Sequence, residues 1–191
     1  MRAGGKRAQR GFTLVEVAVV VVIVAILSVL GVVGYRRYVA TSHMAEATNM
    51  TGNIRAAQEA HKSETGVYAK VSNDASSYYP ATTPGAFVTQ WGGPCTNCVK
   101  TNAWELINVK AAKPVIFGYS AYAGLAGTDT VALQNNAPTE VAAAATDSTK
   151  LQTGAPYFVS IAYGDTNGDG IACYVEASSW SNHLVVASPG E

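Results

Sequence analysis

Residues Gly11 to Gly34 read GFTLVEVAVVVVIVAILSVLGVVG, and this stretch decides the fold. From Val17 to Val33 only Ser28 and Gly31 interrupt the aliphatic side chains. Wound as a helix at about 1.5 Å per residue, the run crosses a hydrocarbon core of about 30 Å. The stretch therefore predicts a membrane-spanning helix. Its one ionisable residue is Glu16, and an acid inside a spanning segment costs roughly 3 kcal/mol and marks a functional site. Before Gly11, the residues Arg2, Lys6, Arg7 and Arg10 come without an acid and set the cytoplasmic side, against only Arg36 and Arg37 beyond the helix. The chain after the helix points outward. A secretory signal peptide would close on a small-x-small cleavage site, whereas this run closes on Gly-Tyr-Arg-Arg-Tyr.

The short basic leader, the hexapeptide Gly11-Phe12-Thr13-Leu14-Val15-Glu16 and the aliphatic helix together resemble the amino-terminal signature of type IV pilins and the related pseudopilins. The resemblance implies that a prepilin peptidase cuts after Gly11 and methylates the new amino terminus at Phe12. It also implies that Glu16, five residues into the mature chain, neutralises the terminal amine of a neighbouring subunit, offsetting the cost of both charges in a packed filament. The expected protein is a structural subunit that waits in the inner membrane, engages pilus or secretion assembly machinery, and polymerises with itself into a cell-surface pilus serving motility or adhesion. The family rival is a type II secretion pseudopilin, whose filament stays in the periplasm. Many family members carry a helix-bending proline where this chain has Val33; here Gly31 and Gly34 supply the local loosening.

Composition bounds the remainder. Without the leader, 9 of the 13 basic residues face 13 acidic ones, a formal balance of −4. Such a balance argues against a nucleic-acid groove, and a membrane-anchored DNA-uptake module would rest on Lys100, Lys110 and Lys113 alone. The three histidines, His43, His61 and His183, show no triad spacing, so no enzymatic activity is expected.

Along the chain, Ala40, His43, Ala47, Met50, Ile54, Ala57 and His61 recur in steps of three and four, an amphipathic continuation of the helix with Glu46, Asn49, Arg55, Glu59 and Lys62 on the opposite face. Thr65-Gly66 supplies the stop. Proline and glycine clusters between Val67 and Pro114 predict a surface connection with a short helix at 101–108. Alternating segments at 115–123, 157–163, 172–176 and 183–187 predict an antiparallel sheet. The expected class is α+β and pilin-like: leader 1–11, membrane or filament-core helix 12–34, amphipathic continuation 35–65, connecting loop 66–114 and sheet domain 115–191. The Gly124–Ala155 excursion, with its apolar patch at Val131–Leu133, reads as exposed.

Two further motifs carry chemistry. Asp165, Asn167 and Asp169, with the Ile171 carbonyl and Glu176 at the twelfth position, match the spacing of a calcium loop, although the flanks read as strands; a plain polar turn is the competing reading, and no other cofactor is required. Cys95, Cys98 and Cys173 stand in a disulfide-permissive compartment. Pairing Cys173 with Cys98, or alternatively Cys95, would close a loop of roughly 75 residues and contribute about 4 kcal/mol. A tight Cys95–Cys98 bridge is the other arrangement.

Overall fold

The computed structural model describes residues 12–81, 84–85, 87–130 and 151–187. The leader with Gly11 and the Val131–Leu133 patch lie outside them. The chain divides into two compact units, Met1–Val39 and Ala40–Glu191. Helix α1, Leu14–Thr65, contributes to both. It runs for 52 residues because no proline interrupts it, and it stops where Gly66 turns to φ +83° and donates its N–H to the Lys62 carbonyl at 2.8 Å. Thr65 assists by donating its hydroxyl to the His61 carbonyl at 2.8 Å.

In the second unit α1 is followed by a 3₁₀ turn at Ala103–Ile107 and by strands β1 (Gly118–Leu125), β2 (Pro156–Gly164), β3 (Cys173–Ser178) and β4 (Val185–Ala187). The strands form one antiparallel sheet in the order β1-β2-β3-β4. The α+β, pilin-like layout expected from the sequence is thus the observed one. At 101–108 the expected short helix is a 3₁₀ turn, closed by Asn108 in the left-handed region at φ 49°. β1 starts later than the apolar run because Val115 pairs with Thr89 instead.

Register sorts the sheet residues into two faces, as the two-residue period of a strand requires. Tyr119, Ala121, Ala162 and Val175 share a core with Ala47, Met50 and Ile54 of α1. Tyr122, Tyr157, Val159 and Ile161 face the other way, under Tyr78 and Leu151. Full burial of Ile54 contributes about 2–3 kcal/mol. Ala121, Ser160 and Ala177 lie side by side in register across β1, β2 and β3.

The helical stripe differs from expectation in its polar members. Thr51 and Gln58 are buried beside Ala47, Met50 and Ile54, whereas Ala40, His43, Ala57 and His61 are only half-buried. Gln58 is accommodated because its side-chain amide donates to the Ala69 carbonyl at 2.8 Å and accepts from the Ala69 N–H at 2.9 Å. Glu46, expected on the solvent face, instead turns to the sheet and accepts from the Ile116 N–H and the Tyr119 hydroxyl, both at 3.1 Å. Burial, reinforced by the Glu46 carboxylate, pushes the Tyr119 phenol well above its ordinary pKa.

The outer edge of β1 is covered. Val71 and Ser72 donate backbone N–H groups to the Ala121 carbonyl, and Tyr79 exchanges a reciprocal pair with Tyr119 at 2.9 and 2.7 Å. Gly118 permits this approach, since a Cβ there would stand 2.8 Å from the Tyr78 Cβ and collide with Pro84.

Candidate functional site

The first unit contains the helix start. Thr13 stands at the amino-terminal cap of α1 and Glu16 three residues later. The Thr13 N–H and hydroxyl both donate to Glu16 Oε2 at 2.8 Å, and the Glu16 N–H donates to the Thr13 Oγ1 at 3.2 Å. This is a capping box, which satisfies donors that a helix start leaves open. The local pattern Thr13-x-x-Glu16 gives Glu16 this capping role in addition to the intersubunit charge that the sequence suggests for it. Phe12 beside it is 87% exposed, and the processing position Gly11 lies outside the described residues.

Beyond the cap, the aliphatic side chains of α1 find no core in their own unit. Every one from Leu14 to Val33 is exposed, and Leu14, Val15, Ala18, Val19, Val22 and Ile23 line a shallow apolar groove. By length and composition this helix is able to cross a membrane. Ser28 does not break the apolar surface, because its hydroxyl donates back to the Val24 carbonyl at 2.7 Å.

In the second unit the Asp165 loop is an exposed turn between β2 and β3. Asp165 Oδ1 accepts from the Gly168 N–H at 2.7 Å and Oδ2 from the Gly170 N–H at 2.8 Å. Asn167 Oδ1 accepts from the Asp169 N–H, and Asp169 Oδ1 from the Ile171 N–H. The loop brings Asp165, Asn167, Asp169 and Ile171 together, and each of the three side chains already holds a backbone donor. Glu176 lies apart from them, buried within β3 opposite Ile161 and Val185. Among the described residues no group of three or more His, Cys, Asp and Glu side chains is placed to hold a metal.

The cysteines pair differently from the leading expectation. The disulfide joins Cys95 to Cys98, with Cα atoms 5.4 Å apart, and the Cys98–Cys173 or Cys95–Cys173 pairing does not form. The reason is local: a three-residue spacing in a bend already meets the Cα separation that a disulfide needs, while Cys173 is fixed in β3 opposite Gly164 and fully buried. The bridge braces the bend whose Cys98 pairs with Ser72. Of the three lysines considered for nucleic acid, Lys110 and Lys113 line one cleft with Asn49 and Asn53, and Lys100 is not part of it.

Comparison with known proteins bears on the amino-terminal part. Residues 6–32 match the prokaryotic N-terminal methylation motif. A fimbrial protein of Eikenella corrodens, EcpC, is 36% identical over 83 residues, 44% of this chain. The chain spans about half the length of that curated relative, 53%. No solved structure matches the chain significantly. The chain thus carries the methylation motif at the start of a long exposed apolar helix that continues onto an antiparallel sheet, a pilin-like layout.

Proposed function

We propose that the chain is a structural subunit of a type IV pilus filament, cut after Gly11 by a prepilin peptidase, methylated on Phe12 and assembled with copies of itself at the cell surface for motility or adhesion. The observation that carries this reading is the apolar helix within the methylation motif, with every aliphatic side chain from Leu14 to Val33 exposed. Such a surface requires lipid before assembly and other helices afterwards. Within lipid the driving force for association is close packing, which Ala25 and Gly31 favour, together with satisfaction of polar groups such as Glu16. The new amine at Phe12 would lie near the Glu16 carboxylate of a neighbouring copy, which then exchanges its capping contact for an ion pair. The sheet and connecting loop would face outward.

The test is the amino-terminal sequence and mass of the protein in sheared cell-surface material and in washed membranes. Methylated Phe12 in the sheared fraction is the expected result. Methylated Phe12 confined to membranes would replace the pilus with a periplasmic pseudopilus, and an intact Met1 in both fractions would refute processing.

A further inference from the structure

The turn between β2 and β3 contains Asn167-Gly168-Asp169-Gly170, which holds the one Asn-Gly pair and the one Asp-Gly pair of the whole chain. All four residues are exposed to water. Glycine places no side chain beside its own nitrogen, so in an open chain the Gly168 nitrogen is able to approach the side-chain carbonyl of Asn167 closely. The reaction this permits is deamidation. The Gly168 nitrogen bonds to Asn167 Cγ and gives up its proton, the Cγ–Nδ2 bond breaks, and Nδ2 leaves with that proton as ammonia. Water then opens the cyclic imide at either carbonyl and leaves aspartate or isoaspartate, with nothing oxidised or reduced.

In the folded turn the groups that this reaction needs are held by other partners. The attacking nitrogen, that of Gly168, donates its hydrogen to Asp165 Oδ1 at 2.7 Å. Asn167 Oδ1 accepts from the Asp169 N–H and Asn167 Nδ2 donates to Asp169 Oδ2, both at 3.0 Å, so the carboxamide is fixed at both of its ends. The Asp-Gly pair repeats the arrangement: the Gly170 N–H donates to Asp165 Oδ2 at 2.8 Å, and Asp169 Oδ1 accepts from the Ile171 N–H at 2.7 Å. One carboxylate, that of the half-buried Asp165, thus holds both glycine nitrogens. We propose that Asn167 is a deamidation site that Asp165 keeps closed, so that modification proceeds only from turns that have opened. Its rate then follows the population of the open turn, as for any reaction that requires local unfolding. The change is one-way. It replaces the Asn167 donor to Asp169 Oδ2 with a second carboxylate, and isoaspartate also lengthens the backbone within the ring that Asp165 closes.

The test incubates the detergent-solubilised full-length chain in mildly alkaline buffer and follows the peptide containing Asn167 by mass spectrometry, with an isoaspartate methyltransferase to count isoaspartate. The same chain in guanidinium gives the rate of the open sequence. The native chain is expected to convert at least about tenfold more slowly than the unfolded one, and Asp165→Ala about tenfold faster than the native chain, the loss of a charged acceptor for two N–H groups. Asp165→Asn keeps an acceptor oxygen without the charge and is expected to convert at a rate between those of the native chain and Asp165→Ala. Cys173, buried in β3, reports whether each variant keeps its sheet, since it then stays closed to iodoacetamide; a variant that exposes it is set aside for the other. No conversion at Asn167 in guanidinium overturns the site. Equal rates in the native and unfolded chain, or in the native chain and a variant with Cys173 still closed, overturn the restraint by Asp165.

Discussion

The side chain of Gln58 holds the backbone of Ala69 by two hydrogen bonds, one to its carbonyl and one from its N–H, as a neighbouring strand would. Helix α1 thereby fixes the first residues of the connecting loop. Gln58→Ala leaves two buried backbone groups without partners and is expected to cost about 2–4 kcal/mol. In a domain of this size each kcal/mol corresponds to roughly 2–4 °C in melting midpoint. Thermal unfolding of the detergent-solubilised chain checks this, and a loss under about 1 kcal/mol would mean that water replaces the amide.

Charge and capping at Glu16 are separable. Glu16→Gln retains an oxygen able to accept from the Thr13 N–H and so preserves the helix start, but removes the carboxylate. The variant is expected to be cut and methylated like the native chain and to be absent from sheared filaments. Normal recovery from the sheared fraction would take the charge out of assembly.

Alkaline pH should unfold the second unit. Burial raises the phenols of Tyr119 and Tyr78 above their ordinary value, with the Glu46 carboxylate adding to the first and Tyr163 to the second. The unfolded chain therefore ionises first, near pH 10, and stability present below that pH is lost as pH rises beyond it. Chemical denaturation between pH 8 and about pH 11 should show stability falling only above about pH 10, with a shallower fall in Tyr119→Phe.

At the Asp165 turn, both carboxylate oxygens accept from backbone N–H groups of exposed glycines. Asp165→Ala should lower the melting midpoint by about 2–4 °C, equivalent to about 1 kcal/mol. An equal drop with calcium and with chelator is the expected outcome, because the turn closes on its own donors. A drop confined to calcium-containing buffer would place an ion among Asp165, Asn167 and Asp169.

Peptide mapping under non-reducing conditions should recover Cys95 and Cys98 in one linked fragment. Cys173 should react with iodoacetamide only after denaturation, since it is fully buried. Cys173 recovered in a disulfide would contradict the fold around β3.

The outline of this architecture is legible because its signals are periodic. The unbroken aliphatic run, the three-and-four spacing through Ala47, Met50 and Ile54, and the alternation in β1 and β2 each follow from which face must leave water. What escaped reading was polar and depended on a partner distant in sequence. Nothing in the neighbourhood of Glu46 announces Tyr119, 73 residues away, nor does any local pattern distinguish the buried Gln58 from the exposed Glu59. Thr13 with Glu16 is different, since its pattern is local and was overshadowed by the charge.

The covered edge of β1 has a consequence for the filament proposed above, in which copies of this chain would stand close together. An exposed strand edge recruits identical strands, and the risk grows with crowding. Here residues 71–79 occupy that edge and β4, at the opposite side, is only three residues long. Neither flank offers a long template for sheet growth. Copies of this chain can crowd at high density while their sheets remain separate, which in the proposed filament leaves the order between them to the helices.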